Sequence, residues 1–134
     1  MKDIRQGGCL CGSARYEIDL SGQETGNCHC RDCQKNTGAA FVTSTFVARN
    51  QFRWISKPSG EYSASPAAIR RFCSQCGTPL QWDGLKLEDM VDINTATLDD
   101  TSNIEVTYEI FTRSRMESIP ALPGVPQYEA SSSD

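Results

Sequence analysis

Seven cysteines in a chain of 134 residues constrain this sequence more than any other feature. The count is odd, so a complete set of intramolecular disulfides is excluded. Met1 to Gly12 contains no apolar run of signal-peptide length, and no segment is long and apolar enough to span a membrane. A cytoplasmic location is therefore expected, in which thiols stay reduced and clustered cysteines serve metal or redox chemistry.

The thiols fall into three groups: Cys9 with Cys11, then Cys28, Cys30 and Cys33, then Cys73 with Cys76. The outer two groups share a detail, since Cys11 precedes Gly12 and Cys76 precedes Gly77. A glycine there adopts the left-handed conformation that lets a tight turn wrap a metal and aim backbone N–H groups at sulfur. Phe72-Cys73-Ser74-Gln75-Cys76-Gly77 reads as one zinc knuckle, and Gly8-Cys9-Leu10-Cys11-Gly12 supplies the other half. Together they make a four-thiolate structural zinc site closed across the chain. The middle group has three thiols and no trailing glycine. Three ligands leave a tetrahedral position for water or substrate, which is how catalytic zinc differs from structural zinc. A less economical pairing joins Cys30 and Cys33 with Cys73 and Cys76, and leaves three thiols unassigned.

His29, the only histidine, lies between two ligands spaced i, i+2, so strand alternation turns its ring away from the metal they share. Packing or support of the ligands is expected of it, rather than a fourth bond. Asp32 is expected to orient the ligand loop by a hydrogen bond. Arg31, Lys35 and Arg71 are candidates for offsetting the anionic cluster or holding a substrate carboxylate. Phe41, Phe46, Trp54 and Trp82 read as core.

Period-two alternation dominates the rest. Ala14, Tyr16, Ile18 and Leu20 alternate with polar residues between Gly12 and Gly22. Further strands are expected over 40–47, 51–55, 68–73, 80–82, 90–97 and 104–112, with turns at Lys57-Pro58-Ser59-Gly60, Asp83-Gly84 and Asp99-Asp100. One short helix is expected over 31–36, ended by Gly38. Pro120, Pro123 and Pro126 suggest an extended segment laid on the surface, and 130–134 a disordered tail. The expectation is one mainly β domain over 1–134. With 13 Lys and Arg against 17 Asp and Glu, the net charge is −4. Nucleic-acid binding would need a basic stripe that is missing.

Three ordered motifs make the chain recognisable: Gly8-Cys9-Leu10-Cys11-Gly12-Ser13-Ala14-Arg15-Tyr16, Cys28-His29-Cys30-Arg31-Asp32-Cys33 running to Gly38, and Phe72-Cys73-Ser74-Gln75-Cys76-Gly77-Thr78-Pro79-Leu80. On these the sequence resembles the family of glutathione-dependent formaldehyde-activating enzymes, which includes centromere protein V. The resemblance implies a β-tent of small antiparallel sheets stabilised by zinc. It implies two zincs per chain, a structural one on Cys9, Cys11, Cys73 and Cys76, and an open one on Cys28, Cys30 and Cys33, which would carry the catalysis. It also implies carbon-sulfur lyase activity, with a small thiol such as glutathione and an aldehyde as partners. Where many relatives carry a histidine near the start of the last strand and a tryptophan after it, this chain has Glu109 and Glu117-Ser118-Ile119. The alternatives are a zinc-stabilised binding module without catalysis and a zinc or redox sensor.

Overall fold

The computed structural model describes residues 1–131 and has two sheets. The smaller one has the order β1 (Ile4–Gly8), β2 (Arg15–Asp19), β5 (Phe52–Ser56). The larger runs β10 (Tyr108–Ile110), β3 (Glu24–Cys28), β4 (Val42–Ala48), β9 (Met90–Asn94), β8 (Pro79–Gly84), β7 (Ala68–Phe72), β6 (Gly60–Ser65). Among the described residues every pair of these strands is antiparallel except β10 with β3. The single α-helix among the described residues, α1 (Arg31–Thr37), follows the middle thiols, and Gly38 ends it at φ 68°, as the sequence suggests. The mainly β architecture expected from the alternation is present.

Three strands depart from the expected list, and the reasons are physical. β1 holds Gly7 and Gly8, poor strand formers, yet a Cβ at Gly7 would lie 2.4 Å from the Tyr16 hydroxyl oxygen. β3 holds Gly26 and Asn27, and a Cβ at Gly26 would lie 2.2 Å from Cε2 of Tyr108. In both cases the glycine admits a ring from the neighbouring strand. β6 is an exposed edge strand with little apolar signal. Asp83-Gly84 ends β8 instead of forming a turn, and the strand expected over 104–112 shrinks to Tyr108–Ile110. The segment after Pro120 pairs with β10, with Glu109 N–H donating to Pro126 O at 3.0 Å and Tyr128 N–H to Glu109 O at 2.9 Å. Of the expected tail, Ala130 accepts from the Phe111 amide at 2.9 Å, and 132–134 lie outside the described residues.

The core lies between the sheets. Tyr16, Ile18, Leu80, Val91, Ile93, Leu98 and Val47 are buried there, with Phe52 and Trp54 packed against them. Tyr16 has both rings as neighbours, Phe52 at 5.3 Å and Trp54 at 6.0 Å between centroids, and its hydroxyl meets Thr97 Oγ1 at 2.7 Å. Cys9 and Cys73 belong to the same buried cluster. Alternation sends the intervening residues of β4, β9, β8 and β7 to the other face of the large sheet. Phe46 and Trp82 therefore leave the core and flank Asp92 in register, contrary to the expectation for these two rings.

Candidate metal centres

The two outer cysteine groups converge. Cys9, Cys11, Cys73 and Cys76 lie with their sulfurs all within 4.8 Å of one another, although some 60 positions separate the halves. Each half is a turn whose backbone closes on itself: Gly12 N–H donates to Cys9 O at 3.1 Å and Gly77 N–H to Cys73 O at 2.7 Å. Both glycines are left-handed, at φ 84° and 80°, as the Cys-Gly pattern requires. Leu10 N–H donates to Thr78 Oγ1 at 3.1 Å and ties one turn to the other. Amides and hydroxyls point at sulfur. Burial works against the Cys9 thiolate, but the Ala14 amide, 3.2 Å from its sulfur, and the Ser13 hydroxyl outweigh it and bring the thiol down to about 7. The Thr78 hydroxyl and amide hold Cys76 at about 5.

The middle group also converges, and separately. Cys28, Cys30 and Cys33 form a second cluster, and among the described residues no further His, Cys, Asp or Glu joins it. β3 delivers Cys28, and α1 delivers Cys33. Cys30 is the N-cap between them, its sulfur accepting from the Cys33 amide at 3.2 Å. Hydrogen bonds from Cys28 and Cys33 hold the Cys30 thiol at about 2, while the same sharing pushes Cys28 up. All seven thiols are free, and the alternative pairing of Cys30 and Cys33 with Cys73 and Cys76 is not the one the fold makes.

Sulfur spacing tests the fit to a tetrahedral metal. Metal–sulfur bonds of about 2.3 Å give tetrahedron edges of about 3.8 Å. Cys9 to Cys11 is 3.6 Å, Cys11 to Cys73 is 3.7 Å and Cys28 to Cys33 is 3.5 Å. Two clusters of thiols, several of them held toward the thiolate form, therefore have the spacing and donor chemistry of metal sites.

His29 is fully buried between the ligands, and its ring faces away from them as alternation requires. Its Nε2 meets Glu109 Oε1 at 2.9 Å, and its ring packs on Phe41 with centroids 5.1 Å apart. Glu109 is the residue that sequence reasoning noticed only as a departure from the family pattern. Its carboxylate, 2% exposed, also accepts from Asn27 Nδ2 at 3.2 Å, Arg115 Nη2 at 3.0 Å, the Leu122 amide at 3.0 Å and Gln127 Nε2 at 2.9 Å. Burial opposes ionisation, but these bonds outweigh it and hold the carboxyl at about 2. Gln34, also buried, donates to His29 O and Ser114 O, each at 3.0 Å, and anchors α1 behind the ligands.

Asp32 is exposed and makes no hydrogen bond to the ligand loop, and Lys35 is exposed as well. Arg31 is bonded to Gln34. Arg71 points to the inter-sheet side, where it pairs with Asp83 at 2.7 Å. Its neighbour Arg70, on the opposite face by alternation, approaches Cys33 Sγ at 3.9 Å and lowers the Cys30 thiol. Of the arginines on β7, the one that approaches the thiols is Arg70 and not the candidate Arg71. β7 alternation decides which arginine faces which side, and the side of the thiols was not legible before folding.

The comparisons with known proteins agree with this arrangement. A crystal structure of a Rhodobacter sphaeroides protein superposes with a TM-score of 0.57 at 17% identity, covering 91% of this chain and 98% of that one, which shows a shared fold. An uncharacterized lyase of Schizosaccharomyces pombe is 32% identical over 82 residues, covering 56% of this chain. The chain spans about half the length of that curated relative, 54% of it. The sequence pattern of the glutathione-dependent formaldehyde-activating enzymes matches residues 4–114, most of the chain and both thiol clusters. The chain belongs to the family of glutathione-dependent formaldehyde-activating enzymes.

Proposed function

We propose that the chain is a zinc-dependent carbon-sulfur lyase-type enzyme that makes and breaks the bond between the sulfur of a small thiol and the carbon of an aldehyde. The single observation that carries this is the second cluster: three thiols gathered without a fourth protein ligand, beside a histidine that is turned to Glu109 instead. Membership of a family described as glutathione-dependent and formaldehyde-activating, and a relative described as a lyase, support the choice of glutathione and formaldehyde as substrates.

Cys9, Cys11, Cys73 and Cys76 would hold a structural zinc, and Cys28, Cys30 and Cys33 a second one. Bound by three thiolates, that zinc supplies coordination of a soft thiol and its deprotonation at neutral pH, more than polarisation of a carbonyl. The protein's own groups do the rest. Cys30 at the N-cap and Cys28 on β3 set the spacing of the ligands, and Glu109 fixes His29 between them. Arg70 places a positive charge against an anionic cluster and against an incoming thiolate. Its guanidinium makes no other hydrogen bond or ion pair among the described residues, which leaves donors for a substrate carboxylate. Among the described residues no helix is long and apolar enough to cross a membrane. The chain is proposed to be one cytoplasmic domain over 1–134.

The test is direct coordination. Cobalt-substituted protein is titrated with a panel of thiols, glutathione first, and adduct formation with formaldehyde is followed. Thiol-dependent spectral shifts with turnover are expected, and Cys30→Ala or Cys33→Ala should lose one metal and the activity together. Normal turnover after loss of that metal overturns the proposal. One tightly held zinc with three inert middle thiols would instead identify a binding module.

A further inference from the structure

The face of the large sheet that carries Arg70 holds a second group the thiol chemistry has not used. Asp92 sits at the centre of β9, flanked in register by Phe46 on β4 and Trp82 on β8. It is 8% exposed, and its Oδ1 has no hydrogen-bond partner among the described residues. Glu109 shows how this fold treats a buried carboxylate with a structural task, surrounding it with five donor residues. Around Asp92, only the Ser44 hydroxyl and the charge of Arg70 work against its burial. A buried carboxylate oxygen without a partner is costly, and such groups persist where function uses them.

We propose that Asp92 is the acid–base residue of the three-thiol site, exchanging the hydroxyl proton of the thiol–aldehyde adduct. The proposal rests on the lyase reading above. Two side chains link Asp92 to the thiols. Arg70 stands in register with Trp82, which stands in register with Asp92, and it reaches Cys33 Sγ at 3.9 Å. Tyr108 lays its ring over Gly26, two residues before Cys28 on β3 and in register with Ser44 on β4. By register and alternation Asp92, Arg70 and Cys28 share one face of the large sheet, with Phe46 and Trp82 as the apolar flanks of Asp92. The charged or titratable groups on the face of Asp92 are Arg70 from β7, Tyr108 from β10 and Glu24 from β3, which stands opposite Phe46, while β4 and β8 place Ser44, Phe46 and Trp82 there.

Burial pushes the Asp92 carboxyl up to about 8, against smaller opposing effects of Ser44 and Arg70. Both protonation states are then accessible near neutral pH, as a group serving both directions of a reaction requires. In the forward direction the substrate thiolate donates an electron pair to the aldehyde carbon and the carbon-sulfur bond forms. The C=O π pair moves to oxygen, which takes the proton of the Asp92 carboxyl, and Asp92 regains a proton from solvent. In reverse the Asp92 carboxylate removes the hydroxyl proton, the carbonyl re-forms and the thiolate leaves.

The experiment uses the metal-loaded protein and Asp92→Asn, with glutathione and formaldehyde as probes. Adduct formation is expected to fall about a hundredfold. Thiol affinity, read from the cobalt spectrum, should stay within about twofold, as expected of a group that acts only in the chemical step. An infrared band of a protonated carboxyl, titrating near pH 8 in the wild-type protein, should be missing from Asp92→Asn. Unchanged turnover in the variant overturns the proposal, as does parallel loss of thiol binding, or a wild-type protein with no such band. A wild-type protein that binds thiols and forms no adduct overturns the lyase reading itself, whatever the variant does.

Discussion

The two thiol clusters use the same side chain for opposite ends. The four-thiol cluster is continuous with the core: Cys9 and Cys73 are buried in the contact network of Tyr16, Ile18 and Leu80, and Cys76 packs against it. Its two turns come from distant parts of the chain, so a metal there closes a long loop and welds the sheets' ends together. The three-thiol cluster is local, within six residues, half-buried, and supported from behind by polar contacts from Glu109 and Gln34. On the proposed reading, a metal in the first cluster would contribute to stability because all its ligands would be protein. A metal in the second would leave a ligand position to chemistry, and the stability of that cluster would come from the residues behind it.

The strongest way to break this contrast is to remove one thiol from each cluster. Cys73→Ala is expected to abolish cooperative folding, since a structural zinc contributes on the order of 10 kcal/mol in small domains, about the whole stability of a typical protein. Cys30→Ala should cost about 1 kcal/mol, the worth of the N-cap bond it makes in α1, while losing activity. Thermal unfolding followed by circular dichroism separates them, and equal destabilisation would end the distinction.

A smaller effect tests the support behind the open cluster. Glu109→Gln leaves Arg115 without its ion pair and alters the partner of His29, and is expected to cost about 3 kcal/mol. The folded carboxyl lies below its ordinary value of 4.5, so its stabilisation is complete above that pH and is lost as the pH falls toward about 2. Glu109 should therefore add a loss of stability below pH 4.5, beneath the range in which Cys9 and Cys76 take up protons, and Glu109→Gln should flatten that part of the curve. A curve unchanged by the substitution would remove Glu109 from the account.

The smallest test concerns the turns. Gly12→Ala or Gly77→Ala meets open space but must adopt a left-handed φ, and should cost about 1 to 2 kcal/mol each. Unfolding midpoints in urea measure it. Neutral substitutions would mean that the Cys-Gly pattern is not a backbone requirement.

Much of the site was legible before folding because its signals are local. The spacing of Cys28, Cys30 and Cys33, the Gly38 stop and the repeated Cys-Gly ending are all contained in windows of a few residues. The outward turn of His29 followed from alternation alone, and its ring does face Glu109. What failed was anything that depended on a partner strand. β3 carries Gly26 and Asn27, which read as loop, but the Tyr108 ring covers the one and Glu109 accepts from the other. Arg70 and Arg71 could not be told apart, nor could Phe46 and Trp82 from core aromatics, because alternation assigns two faces without saying which one holds the thiols. Asp92 did leave a trace, as a charge amid the apolar residues Val91 and Ile93, but such a trace has no direction until β4 and β8 flank it.

The sequence by itself determined the ligand chemistry: an odd set of thiols, divided into a set of four with left-handed glycines and a set of three without. Spacing along the chain is enough for that, since ligand geometry is built from bonds and turns of a few residues. Only the tertiary structure decided which groups stand behind the open cluster, Glu109 and Gln34, which arginine approaches it, Arg70, and that Tyr108 and Asp92 share the sheet face of Cys28. Those neighbours come from β10, α1, β7 and β9, and their proximity is a property of sheet order and register, which no local pattern encodes.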